Sequence, residues 1–214
     1  AQDGSGDFFT LTEAVAAVPD FCRDTTRILV CEGVYREKVV VPATKRNVIL
    51  EGVRGIGPDA DRPAAASETG ALSRRGAVTV TWDDYAARTG PTGHPLGTSG
   101  SSTVYFGGDG WTVRGLTFEN TAGCVGQAVA VQCLGTGLHF IGCRFLGNQD
   151  TLFCAPLPEA EREKDGFLGP RKFAPRRPSA QYYQSCEIAG DIDFIFGGAD
   201  ALFEQCILRT VDNH

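Results

Sequence analysis

Short runs rich in β-branched and aromatic residues recur through most of the chain, separated by Gly, Pro or Asn. Residues 27–31, 38–41, 47–50, 77–81, 103–106, 111–118 and 127–133 each have the length and composition of a strand. One stretch has the other period. Leu11, Ala14, Val15 and Val18 fall on one face of a helix over 10–19, with Thr10 placed to cap its start and Pro19 to end it. Two segments break the rhythm. Residues 54–76 are rich in Ala, Pro and Gly and predict a loose surface loop, while residues 155–178 carry charge and five prolines.

A longer repeat lies over these runs. Phe140-Ile141-Gly142-Cys143-Arg144-Phe145 rhymes with Tyr183-Gln184-Ser185-Cys186-Glu187-Ile188, and again with Phe203-Glu204-Gln205-Cys206-Ile207-Leu208. A strand pattern recurring at variable spacing predicts a β-solenoid, with the helix as its terminal cap. The first two copies are each followed, seven residues after the cysteine, by an aspartate: Asp150 in Gly147-Asn148-Gln149-Asp150-Thr151-Leu152-Phe153 and Asp193 in Gly190-Asp191-Ile192-Asp193-Phe194-Ile195-Phe196-Gly197. Stacked cysteines imply stacked aspartates, roughly 4.8 Å apart, the spacing of neighbouring strands. Two carboxylates that close do not ionise independently, which yields an acid beside a base. The offset of 43 positions from Asp150 to Asp193 exceeds an ordinary coil, so 155–178 is expected to leave the stack and return, forming one wall of a cleft.

Composition narrows the classes. The 214 residues suit one domain, and 42% hydrophobic content with 27 glycines fits short strands and tight turns. No run approaches the ~18 apolar residues of a membrane span, and no leader is expected where Asp3 and Asp7 interrupt the start. The absence of methionine predicts a processed or excised segment. A net charge of −6 argues against nucleic acid and anionic membranes as partners. Arg171, Lys172, Arg176 and Arg177 either offset that field at one rim or form a solvated loop. No Cys-x-x-Cys pair supports zinc, and Cys143, Cys186 and Cys206 read as a ladder of small apolar core residues rather than disulfide partners.

The two aspartate stretches, with Gly33-Val34-Tyr35-Arg36-Glu37 and Gln127-Ala128-Val129-Ala130-Val131, resemble four ordered signatures of the pectin methylesterases. The resemblance runs from Gln2-Asp3-Gly4-Ser5-Gly6-Asp7-Phe8 to the last residues. Gly97-Thr98-Ser99-Gly100-Ser101-Ser102-Thr103 and Gly166-Phe167-Leu168-Gly169-Pro170 look like bacterial members of that family. It implies a right-handed parallel β-helix, one catalytic domain over 1–214, and hydrolysis of methyl esters of homogalacturonan without metal or cofactor. Asp193 would be the nucleophile and Asp150 the acid, then the base. Gln127 and Gln149 would donate to the oxyanion. Thr103, Gln127, Phe153 and Phe196 would contact sugar. The implied partner is methyl-esterified pectin or its oligogalacturonides, with no obligate protein partner; a secreted parent and an intracellular oligogalacturonide esterase both fit. The Leu-Gly-Arg-Pro-Trp signature, whose arginine pairs with the nucleophile in the family, is expected beyond His214, so the chain is expected to be truncated there.

Each residue also has a plainer reading. An aspartate in a Gly-rich turn is usually a turn former, although the equal offsets and aromatic neighbours here favour chemistry. Gln127 could bond within its own ladder, and Phe153 and Phe196 could be core. Asp191 reads as secondary, and Tyr35 and Glu37 as structural. His94, His139 and His214 join no constellation. A glycan-cleaving β-helix would also suit paired carboxylates, but Asp83-Asp84 lies far upstream and Gly-His-Gly is absent. A calcium-dependent lyase would want clustered acids, and a binding solenoid would have lost one aspartate. No Gly-x-Ser-x-Gly elbow supports a serine hydrolase.

Overall fold

The computed structural model describes residues 1–53, 78–156, 160 and 177–212. The loop expected at 54–76, most of the segment 155–178, the motif at 166–170 and Arg171, Lys172 and Arg176 fall outside the described residues. After a helix α1 (Leu11–Ala17), the chain winds through coils of up to three strands. They are β1 (Thr26–Cys31), β2 (Gly33–Arg36) and β3 (Val39–Val41); then β4 (Val48–Val53), β5 (Val78–Trp82) and β6 (Val104–Phe106). Next come β7 (Trp111–Arg114), β8 (Leu116–Asn120) and β9 (Val131–Cys133), followed by β10 (Leu138–Ile141), β11 (Arg144–Leu146) and β12 (Leu152–Cys154). The last are β13 (Ala180–Gln184), β14 (Glu187–Gly190), β15 (Ile195–Gly197), β16 (Asp200–Glu204) and β17 (Ile207–Thr210).

Every strand pairs in parallel with its counterpart one coil away. The result is three sheets: β1-β4-β7-β10-β13-β16, β2-β5-β8-β11-β14-β17 and β3-β6-β9-β12-β15. This is the expected parallel β-helix. Alternation along each strand sends one side chain inward and the next outward, so inward positions stack into columns. One column in the first sheet is Ile28, Leu50, Val113, Phe140, Tyr183 and Phe203. Its aromatic members lie face to face, Phe140 on Tyr183 at 5.1 Å and Tyr183 on Phe203 at 4.7 Å between ring centroids.

The run 111–118 is not one strand. At Gly115 the backbone turns through φ +68° and divides it into β7 and β8. Gly142, Ser185 and Gln205 repeat the positive φ on later coils, and the Gly115 amide donates to the Ile141 carbonyl at 3.0 Å. The corner escapes a hydrophobicity pattern because apolar residues face the lumen on both sides of it. Cys143, Cys186 and Cys206 follow this corner, the first two with no exposed surface, and all eight cysteines are free thiols. Further differences are β2, β12 and β15, which the strand pattern did not single out, and β9, which is shorter than 127–133.

Helix α1 begins with a capping box: the Glu13 amide donates to Thr10 Oγ1 at 3.1 Å, and the Thr10 amide donates to Glu13 Oε2 at 3.1 Å. Leu11 and Val15 are buried, and the helix packs against β3. Charges from the barrel close both ends. Glu37 accepts from the Leu11 and Thr12 amides at 2.8 and 2.9 Å, while Lys45 Nζ donates to the Ala16 and Val18 carbonyls at 3.1 and 2.6 Å. A carboxylate at the N-terminus and an ammonium at the C-terminus match the helix dipole. This gives Glu37, in the Gly-Val-Tyr-Arg-Glu signature, its structural role. Replacing Glu37 by Ala is expected to lower stability by about 1–2 kcal/mol, the range for losing charge-assisted caps. Urea unfolding checks this, and an unchanged midpoint would show the cap to be dispensable.

Candidate active site

Two turns enter the third sheet side by side, one leading into β12 and the next into β15. The register Leu152↔Ile195, carried two residues back, sets Asp150 against Asp193. The hydrogen bonds agree: the Asp150 amide donates to the Ile192 carbonyl at 3.0 Å and the Leu152 amide to the Phe194 carbonyl at 2.9 Å. Both aspartates have left-handed backbone, φ +67° and +46°. Aspartate tolerates this region better than most residues, and strained backbone held in place by its surroundings gathers at functional sites.

The strain is maintained by hydrogen bonds between the turns. Thr151 Oγ1 donates to the Asn148 carbonyl in its own turn and to the Ala189 carbonyl of the next coil, both at 3.0 Å. Asn148 Nδ2 donates to Asp191 Oδ2 at 2.9 Å. A Cβ on Gly190 would lie 2.5 Å from Thr151 Oγ1 and 2.6 Å from the Asn148 carbonyl oxygen, so only glycine fits. Asp191 therefore ties the two turns together, consistent with a secondary role. Sequence reasoning did not single out Thr151 and Asn148. The one trace of them was a glycine three residues before each aspartate, Gly147 and Gly190.

The two carboxylates have different surroundings. Asp150 is 6% exposed, whereas Asp193 is exposed. Burial, and then the charge of Asp193, push the Asp150 carboxyl from an ordinary 3.8 up to about 6. Among the described residues no cation pairs with Asp193; Arg209 is bonded instead to Glu187 at 2.9 Å, beside Arg144 at 2.7 Å. The site thus sets a buried carboxyl, raised towards neutrality, next to an accessible one.

Two amides flank the pair. The Ala130 and Val131 amides both donate to the Thr151 carbonyl, at 2.9 and 3.2 Å. This β-bulge adds a residue to the strand. The Ala128 amide then meets the Gln149 carbonyl at 3.0 Å, which sets Gln127 beside Gln149 on the neighbouring coil. Gln127 is exposed and Gln149 half-buried. Phe153 and Phe196 are register partners on the outer face of the third sheet, stacked at 4.2 Å between centroids. They form a flat, half-buried aromatic surface three residues beyond each aspartate and do not fill the lumen.

Thr103 does not join them. It has no exposed surface, and its hydroxyl donates to the Glu119 carbonyl at 3.0 Å. The expected sugar contact is closed to it, because its polar group is committed to holding a neighbouring coil. Asp83 and Asp84 are likewise structural. Asp84 pairs with Lys38 at 2.6 Å and Arg88 at 2.7 Å, and Asp83 with Arg36 at 3.1 Å. Burial disfavours the Asp84 charge, but these cations outweigh it and hold its carboxyl below the usual value.

Comparison with known proteins gives the lineage. The family model described as Pectinesterase matches residues 1–60, 86–158 and 176–213. The Arabidopsis thaliana pectinesterase QRT1 is 32% identical over 98% of this chain and 46% of its own length. The structure of pectin methylesterase from carrot superposes with a TM-score of 0.71 at 29% identity, covering 98% of this chain and 51% of that one. A pectin methylesterase solved in complex with a hexasaccharide gives 0.66 at 25% identity, covering 97% and 52%. The chain therefore spans about half the length of these relatives. With the family model covering most of its residues, the chain belongs to the pectinesterase family.

Proposed function

We propose that residues 1–214 carry the catalytic β-helix of a pectin methylesterase, which removes methyl groups from methyl-esterified homogalacturonan. The observation that supports this most is the pair of stacked left-handed turns, with Asp150 buried and raised towards neutrality and Asp193 exposed beside it. Asp193 attacks the carbonyl carbon of the methyl ester at C6 of a galacturonate. The oxyanion that forms accepts hydrogen bonds from the side-chain amides of Gln127 and Gln149. As the C–O bond breaks, Asp150 gives its proton to the departing methanol. Its carboxylate then takes a proton from water, which attacks the acyl–Asp193 anhydride, releases the galacturonate acid and restores both residues.

Phe153 and Phe196 supply a flat apolar face suited to the CH-rich side of a sugar ring. The hexasaccharide bound by a pectin methylesterase of this fold supports an extended oligosaccharide as ligand. The bacterial-type affinity rests on 97–103 and 166–170 alone, and the curated relative compared above is a plant protein.

Methanol release from methylated pectin tests this directly. Asp193→Asn and Asp150→Asn are each expected to lower it at least about a hundredfold with the fold intact, because each keeps shape while removing the nucleophile or the titrating proton. Gln127→Ala is expected to lower kcat about a hundredfold, the scale of losing one oxyanion donor. New reducing ends without methanol would point to a glycosidase instead.

The acyl-forming step needs Asp150 protonated, so its rate should fall as pH rises through about 6. Carbon-13 NMR of the Asp150 carboxyl should give the same midpoint. Asp193→Asn should lower that midpoint without restoring the ordinary value, since burial is the larger cause. The linkage follows in sign: an acid raised on folding stabilises the protein most below the unfolded value of 3.8 and loses that contribution as pH rises to about 6. An ordinary midpoint in the wild type would remove the acid from the mechanism.

A further inference from the structure

Gln127 lies near the end of residues 121–130, the segment that crosses from β8 to β9 without belonging to a strand. Ala128, Val129 and Ala130 are nonetheless buried, so their backbone groups need partners. Side chains from two other segments provide them at Val129. Its amide donates to Ser101 Oγ at 3.0 Å, and its carbonyl accepts from Asn120 Nδ2 at 3.1 Å as well as from the Thr103 amide at 3.0 Å.

Asn120 is 3% exposed and does more than hold Val129. The same nitrogen reaches the Asp84 carbonyl at 2.9 Å and the Ser101 carbonyl at 3.2 Å, and its Oδ1 accepts from the Ala122 amide at 3.0 Å. One buried amide thus ties together the exit from β5, the entry to β6 and the approach to β9. Lys38 secures the far side, with Nζ donating to Asp84 Oδ2 and to the Gly100 carbonyl, both at 2.6 Å. Two residues beyond Asp84, the Ala86 amide donates to the Gln127 carbonyl at 2.8 Å. The backbone of Gln127 is therefore gripped directly by Ala86 and, through Val129, by Asn120 and Ser101.

We propose that Asn120 and Ser101 are positioning residues that hold Gln127 at the site through the backbone of Val129. This rests on the esterase reading of Gln127. Neither residue reaches the carboxylates, so both act at one remove. A buried, fully engaged amide is stiff, and a shift of about 1 Å in a catalytic group can lower a rate about a hundredfold.

The test is a double-mutant cycle on the full chain, measuring methanol release from methylated pectin. Asn120→Ala and Ser101→Ala are each expected to lower kcat about tenfold or more with KM within about twofold. Combined with Gln127→Ala, either should add less than about twofold, because its target has gone. Equal losses with and without Gln127, or unchanged kcat in a folded variant, would overturn the proposal. Ser101→Ala decides it if Asn120→Ala fails to fold, since it leaves the Asn120 amide in place. A second readout needs no activity: in nitrogen-15 NMR spectra, Ser101→Ala should move the Gln127 resonances and leave those of Asp193 in place. Unmoved Gln127 resonances also overturn it. If the wild type releases no methanol but the Gln127 resonances shift, the esterase reading falls and the positioning stands.

Discussion

Parallel hydrogen bonding between successive coils holds each residue against its counterpart one turn on, and most of what is distinctive here follows from that register. A property at one position is copied along the helix axis. Inward aromatic residues become a stack, corner residues share left-handed backbone, and cysteines line up as small apolar side chains. The same rule brings two aspartates into one place. They are distant in sequence, and in a free chain nothing would keep two like charges together. The register overrides their repulsion because each is fixed by the many bonds of its coil.

The asymmetry of the pair comes from its position in the stack. Asp150 is covered while Asp193 is open, so burial pushes the Asp150 carboxyl up although the two side chains are identical and sit in matching turns. A chemical division of labour therefore needs no difference in residue type. It needs only that one turn be deeper than the other, and the lacing by Thr151, Asn148 and Asp191 keeps the depths fixed.

The solenoid was legible in the sequence because its repeat is carried by local strings, the cysteine-centred strands and the offset aspartates. The capping helix was legible for the same reason, since its period and its capping box lie within 10–19, although Glu37 and Lys45 also close its ends. Features set by the next coil were not legible. Thr151 reaches Ala189 across 38 residues and Asn148 reaches Asp191 across 43, so their partners are invisible to any local pattern. The corner at Gly115 was hidden because hydrophobicity records facing and not direction. Thr103 was misjudged because resemblance identifies a residue without saying which way its hydroxyl points, and here it points at a carbonyl.

The bulge at Ala130 and Val131 carries a consequence of its own. It works as a spacer, setting how far Gln127 advances along its coil relative to Gln149. What matters in such a spacer is the number of residues and not their identity. Losing one residue there would slide Gln127 by a single position, which in extended chain turns a side chain to the opposite face. Conservative replacements within 128–130 should thus be absorbed by repacking, while a one-residue deletion would separate the two glutamines with every functional side chain still present.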